Sequence, residues 1–273
     1  MKKALFFILS LLWGLSLIAA PGRPERVISL VPSLTKSLYD MGAEKTLVGC
    51  TNYCYEAIED GVEVVATPTK ANVEKVVSLS PDLVLASNFT PPEEVEVLRK
   101  LGIEVLVLAN PASFDMICEQ FVRLGEAVGK KARAAQIVLN SRRIVDKIRE
   151  KRAARPAEKP HKVFFQIGAN PIFTVLSASF MNDFITFLGC ENIASELEQG
   201  TVTEEFVLGR RPDYIIITTM GTLAESERLK WLRHGSLPAS EKARVYIVDA
   251  EMACQPSPVT FAQTITLLDR LIR

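Results

Sequence analysis

Five cysteines, two histidines and two glutamates in matching contexts are the side chains whose type and spacing bear on chemistry. The cysteines are Cys50, Cys54, Cys118, Cys190 and Cys254. Cys50 and Cys54 fall four apart in a loop-like stretch, a spacing that matches no common zinc pattern. Cys118 and Cys190 read as buried free thiols. An odd number leaves at least one thiol unpaired within the chain. His161 opens a strand-like run and reads as structural. With only two histidines, His161 and His234, a multi-histidine site for bare zinc or manganese is excluded. No Gly-x-Ser-x-Gly elbow, phosphate loop or Gly-x-Gly-x-x-Gly run is present. Nothing here assembles a nucleophile with a base, so the chain is expected to bind rather than to catalyse.

The glutamates sit in a self-match. Val73-Glu-Lys-Val-Val-Ser-Leu-Ser-Pro-Asp-Leu-Val-Leu-Ala-Ser87 aligns with Glu204-Glu-Phe-Val-Leu-Gly-Arg-Arg-Pro-Asp-Tyr-Ile-Ile-Ile-Thr218 at an offset of 131 residues (204 − 73). Glu74 falls on Glu205, Pro81-Asp82 on Pro212-Asp213, and Asn72 on Thr203, both good helix N-caps. Each half therefore carries a capped short helix feeding a buried strand. Two copies imply a pseudo-twofold pair of lobes, whose ligand belongs in the crevice at the carboxyl ends of the strands.

The elements that must hold these residues alternate in type. Strands are expected at 26–31, 46–49, 63–66, 82–86 and 104–108, with helices at 33–41, 73–79, 92–101 and 113–129 between and after them. From Lys130 to Arg155 a single apolar stripe of Ala134, Ile137, Val138, Ile144, Val145 and Ile148 runs through a charged background, which predicts one long surface helix. Strands at 161–167, 213–218 and 244–248 then alternate with helices at 177–188, 203–209, 225–233 and 256–272. This is the pattern of α/β layers with mostly parallel sheets.

The chain has 273 residues, enough for about two domains at ~150 residues each. Hydrophobic residues make up 48% and charged residues 23%, an ordinary globular composition. The formal net charge of +0 argues against a nucleic-acid binder. Residues 1–22 read as a secretory signal: Lys2 and Lys3 precede an apolar run that ends in small residues. Its removal leaves a net charge of about −2. Export places the cysteines in an oxidising compartment.

Five stretches carry a family resemblance. They are Arg26-Val-Ile-Ser-Leu-Val-Pro-Ser33, Asn72-Val-Glu-Lys with Leu79-Ser-Pro-Asp-Leu-Val84, Val163-Phe-Phe-Gln-Ile-Gly-Ala-Asn-Pro-Ile-Phe-Thr174, Gly189-Cys-Glu-Asn-Ile193 and Arg211-Pro-Asp-Tyr214. With them the mature chain resembles the helical-backbone class of periplasmic solute-binding proteins of ABC importers. The likeness is strongest to the cobalamin binders, with the iron–siderophore and haem binders as cousins. The resemblance implies an α/β fold of two lobes with mostly parallel central sheets, joined by one long backbone helix, with the ligand cleft between the lobes. The N-terminal lobe would span 23–129, the linking helix 130–155 and the C-terminal lobe 156–273.

The same resemblance implies roles. One exposed glutamate per lobe, Glu74 and Glu205, would dock onto arginine-rich pockets of a permease dimer served by its ATPase. The receptor is expected to be a periplasmic monomer without an intrinsic cofactor, and its bound substrate a cobalt or iron chelate: a corrinoid, an iron–siderophore or haem. Of the aromatics that grip a macrocycle in the cobalamin binders, Tyr53 and Phe173 are retained. Pro68, Ser87 and Gln199 stand where those proteins place tryptophans, and Phe89 compensates in part. An acidic position in the last loop is Glu251, followed by Met252. Met252 and Cys254, with Cys50 or Cys54, could offer soft sulfur to a metal centre; a Cys54–Cys254 disulfide is the competing reading. Two other functions share such a scaffold: an exported enzyme of nitrogenase-like architecture, which needs cluster-binding cysteines, and a ligand-sensing receptor.

Overall fold

The computed structural model describes residues 23–67, 70–154, 159–218 and 223–273. The leader at 1–22 and Pro68 lie outside them.

The first lobe is built on a six-stranded sheet in the order β4-β3-β2-β1-β5-β6. Its strands are β1 (Val27–Ser29), β2 (Leu47–Thr51), β3 (Glu63–Thr67), β4 (Lys70–Ala71), β5 (Leu83–Ser87) and β6 (Glu104–Leu108). All pair in parallel except β4, which folds back on β3. Every residue of β5 is buried, as expected for a strand covered on both faces. The covering helices are α1 (Pro32–Met41), α2 (Tyr55–Glu59), α3 (Val73–Ser78), α4 (Pro92–Lys100) and α5 (Phe114–Ala127). The second lobe holds a five-stranded sheet. In it β10 (Tyr214–Ile217) lies between β7 (Lys162–Ala169) and β11 (Val245–Ile247), all parallel. The short β8 (Ile172–Thr174) returns antiparallel to β7, and β9 (Glu191–Asn192) pairs beside it.

The repeated sequence is a repeated structural device. Asn72 Oδ1 accepts the Lys75 N–H at 3.0 Å, and Thr203 Oγ1 accepts the Phe206 N–H at 3.3 Å, capping α3 and α8 (Glu204–Arg210). Each helix ends near a left-handed residue, Ser80 with φ 46° and Arg211 with φ 51°, at matching positions. The Pro-Asp that follows fastens the next strand to the first strand of its lobe. Asp82 N–H donates to Arg26 O and Asp213 N–H to Lys162 O, both at 2.8 Å. In return the Asp82 carboxylate accepts Arg26 N–H and the Asp213 carboxylate accepts Lys162 N–H, both at 2.9 Å. Both helices therefore end at the amino edge of their sheet.

A helical spine runs along both lobes. The 23-residue α6 (Lys131–Ala153), about 35 Å long at ~1.5 Å per residue, packs against α5 and against α12 (Pro258–Leu271). The stretch expected to be helical at 130–155 thus ends at Ala153, and Arg155 is outside the described residues. The Phe261 ring of α12 stacks on Phe114 of α5 at 4.3 Å and on Phe184 at 4.4 Å, so one aromatic run crosses the junction. The Asp183 carboxylate accepts the Phe114 N–H at 2.8 Å, and Ser257 Oγ donates to Asp40 Oδ2 at 2.9 Å. Lys151 and Arg152 close on Asp269, each at 2.6 Å.

Several expectations are corrected. The helix expected at 177–188 is helical only over α7 (Asn182–Thr186). Before it, Ser179 makes turns instead, its Oγ accepting the Met181 N–H. Not foreseen were α2, β4, β8, β9 and two short helices, α10 (Pro238–Glu241) and α11 (Ala250–Ala253). Between α8 and α10 lies α9 (Leu223–Leu232).

Candidate functional site

Parallel strands leave their chain reversals at one edge, where backbone groups and loop side chains are free to meet a ligand. Here both sheets turn that edge toward each other across an open cleft of about 780 Å³. In the first lobe Val31, Pro32 and Ser33 follow β1, Tyr53 follows β2, Phe89 follows β5, and Asn110 and Pro111 follow β6. In that sheet the strand order reverses between β1 and β5, so Val31 and Phe89 flank the switch point. In the second lobe Ile167 lies on β7, Thr218 follows β10, and Ala250, Glu251, Cys254, Gln255 and Pro256 follow β11. The segment Ala178-Ser179-Phe180 completes the wall.

The rings are held from behind. Tyr53 meets Tyr55 edge-on at 6.2 Å, and Phe180 meets Phe184 edge-on at 6.1 Å. Phe89 is 76% exposed and stands on a turn closed by Ser87. Ser87 N–H donates to Thr90 Oγ1, and Ser87 Oγ accepts the Phe89 N–H, both at 3.2 Å. Ser87 is itself buried, so its part is to position Phe89.

Electrostatically the wall is quiet. Among the described residues that line it, Glu251 alone carries a formal charge. Gln255 Nε2 donates to the Glu251 carboxylate at 2.7 Å. The other amide atom, Gln255 Oε1, is buried without a hydrogen-bond partner, the one such side-chain atom among the described residues. An orphaned buried acceptor is costly. Cys254 reaches the cleft with its thiol 3.7 Å from Thr218 Oγ1. Surrounding protein raises its pKa above the ordinary thiol value, Thr218 opposes this, and the nearby Glu251 and Asp249 add to the rise. The resting group is the neutral thiol.

Of the residues expected to touch a ligand, the structure brings Tyr53, Phe89 and Glu251 together across the cleft. It places others elsewhere. Phe173, 41% exposed on β8, lies against Gly200 and bridges Thr201 rather than bordering the cleft. Gln199 is exposed beside it, and Met252 packs into the second lobe's core. All five cysteines are free. Cys54 is buried with Cys50 in the first lobe's core while Cys254 stands on the opposite wall of the cleft, so the interlobe disulfide is not formed. For the same reason Cys50 and Cys54 do not join Met252 and Cys254 around a metal centre, and the thiols are too scattered to hold a cluster of the kind a nitrogenase-like enzyme needs. Phe180, Asn110 and Gln255 were not anticipated.

Glu74 and Glu205 are exposed at the second position of α3 and α8, one on each lobe. The Glu205 carboxyl is held below the usual range by its own backbone N–H and by the Thr203 hydroxyl. Its neighbour Glu204 is engaged instead with Lys230 at 2.6 Å and His234 at 2.7 Å.

Comparison with known proteins places this arrangement. The sequence pattern of the periplasmic binding protein family matches residues 27–252. An uncharacterised ABC transporter substrate-binding lipoprotein of Bacillus subtilis (strain 168) is 31% identical over 244 residues, covering 86% of this chain and 76% of its own. The vitamin B12-binding protein of Yersinia pestis (strain Pestoides F) is 29% identical over 223 residues, covering 80% and 78%. Among solved structures, the periplasmic vitamin B12-binding protein of Vibrio cholerae superimposes with a TM-score of 0.77 at 24% identity, over 91% of this chain and 96% of that one.

Proposed function

The chain belongs to the periplasmic binding protein family, and on that premise we propose that it captures a metal chelate in the interlobe cleft and delivers it to the permease of an ABC importer. The observation that carries this reading is the cleft itself. Its volume of about 780 Å³ falls within the range of small-molecule sites, roughly 300–1,000 Å³. Tyr53 and Phe89 from one lobe face Phe180 from the other, an arrangement suited to gripping a flat macrocycle between apolar rings. Relatives named for vitamin B12 support a corrinoid, and the wall's chemistry agrees. A corrinoid is fringed with uncharged amides, which suit a wall that carries Ser33, Asn110, Ser179 and Thr218 and a single carboxylate. The carboxylates of haem or the anionic oxygens of a ferric siderophore would meet Glu251 with no described basic side chain on the wall to balance them. The task is binding, not turnover.

The leader and the family support export to the periplasm. Glu74 and Glu205, one per lobe on matched helix starts, suit a partner with twofold symmetry, and we assign them to docking on the permease dimer.

A thermal-shift panel with cyanocobalamin, dicyanocobinamide, haem and a ferric siderophore tests the reading. A ligand at 100 times its Kd adds about 2.7 kcal/mol of stability. The corrinoids are expected to give the large shift. No shift with any member overturns the chelate reading, and a shift with haem or siderophore alone overturns the corrinoid preference.

A further inference from the structure

Part of the first lobe's cleft wall comes from two loops that leave adjacent strands. β5 and β6 pair in register as far as Ser87 and Leu108, and there the backbone ladder ends. Beyond it the chain after β5 closes a turn that carries Phe89, with Thr90 N–H donating to Ser87 O at 3.0 Å. The chain after β6 runs through Asn110 into Pro111, which has no N–H to give. Among the described residues a single hydrogen bond joins the two loops: Asn88 Oδ1 accepts the Asn110 N–H at 2.9 Å. A side-chain oxygen thus supplies one more rung where strand pairing has stopped. Asn88 is exposed and does not line the cleft, whereas Phe89 and Asn110, one on each loop, both do.

We propose that Asn88 is a positioning residue, whose side-chain rung holds the Phe89 turn and the Asn110-Pro111 loop together as one wall and so presets the ring for its ligand. Phe89 is 76% exposed, so its place depends on the turn beneath it. Ser87 and Thr90 close that turn on itself, but neither ties it to the neighbouring loop. Without the rung the Asn110 N–H turns to water and the two loops move independently. A ligand must then order both as it binds, and that ordering is subtracted from its affinity. The effect on capture rests on the cleft being the binding site proposed above; the brace between the loops exists whichever ligand enters.

The test uses the full chain and its Asn88→Ala and Asn88→Asp variants, of which the second keeps an oxygen acceptor and the first does not. Amide exchange is followed by NMR with no ligand present. In the alanine variant it is expected to quicken about tenfold at both Asn110 and Phe89, and in the aspartate variant to stay within about twofold of the parent. Phe89 is the informative amide, because its own acceptor, Ser87 Oγ, is untouched. In calorimetric titration with cyanocobalamin the alanine variant is expected to bind about fivefold more weakly, the order of one lost hydrogen bond, and the aspartate variant within about twofold of the parent. The urea midpoint should match the parent in both. Unchanged exchange at Phe89, undiminished affinity in the alanine variant, loss in both variants, or an affinity loss that comes with a lower urea midpoint overturns the inference. If the parent itself takes no cyanocobalamin, the corrinoid reading fails, and exchange at Phe89 alone decides the brace.

Discussion

Replacing Phe89 by alanine should weaken capture of a corrinoid about 25-fold while leaving the fold intact. The ring is 76% exposed and makes no core contact, and its turn is held through the Phe89 backbone N–H, which alanine keeps. A phenylalanine can bury on the order of 200 Å². A flat ligand lying on one face of the open ring would cover about half of what is exposed, ~75 Å². At ~25 cal/mol per Å² that contact is worth ~2 kcal/mol, and every ~1.4 kcal/mol is tenfold in Kd. Calorimetric titration with cyanocobalamin reads the affinity, and urea unfolding reads the stability. Leu101→Ala supplies the control, because Leu101 is 56% exposed at the far end of α4 and away from the cleft. An affinity within twofold of the parent would refute the sandwich between Tyr53, Phe89 and Phe180. An equal loss in the Leu101 variant would show that the effect is not local.

Two further outcomes can be checked directly. The double variant Glu74→Ala with Glu205→Ala should keep its ligand affinity and lose uptake in cells that carry the permease; undiminished uptake would remove these residues from docking. Burial by itself would raise the Asp269 carboxyl, but hydrogen bonds from Lys151 and Arg152 hold it below its usual value. The clamp's contribution is therefore full above the unfolded carboxylate value of about 4 and fades as pH falls through the lower folded value. Asp269→Asn should lower Tm at pH 7, with the gap narrowing below about pH 4 in a scan from pH 7 to 3. A gap that stays constant to pH 3 would contradict this account.

The parts of the fold legible in the sequence are those whose local chemistry is self-sufficient. The long stripe from Ala134 to Ile148 and the caps Asn72 and Thr203 mark their helices without help from the rest of the chain. The illegible parts need partners distant in sequence. β8 exists only because β7 offers it a ladder, and α11 is one turn started by Asp249 accepting the Glu251 N–H. The cleft divides the same way. Tyr53 and Phe89 are named by the family resemblance, and both follow strands of the first sheet at its carboxyl edge. Asn110, which follows β6, was open to the rule of carboxyl ends. Phe180 was hidden because the apolar run from Val175 to Leu188 mimics a helix, whereas Ser179 turns the chain and sends the ring to the cleft wall. Met252 packs against the second lobe's core while its neighbour Glu251 faces outward, because adjacent residues on a single turn point to different sides.

The duplicated Pro-Asp device has a consequence for assembly. In each lobe one aspartate gives its N–H to the first strand and takes that strand's N–H in return, so the strand that follows the capped helix is held in register at its start. The two lobes carry this lock separately, and each sheet sets its register from its own residues.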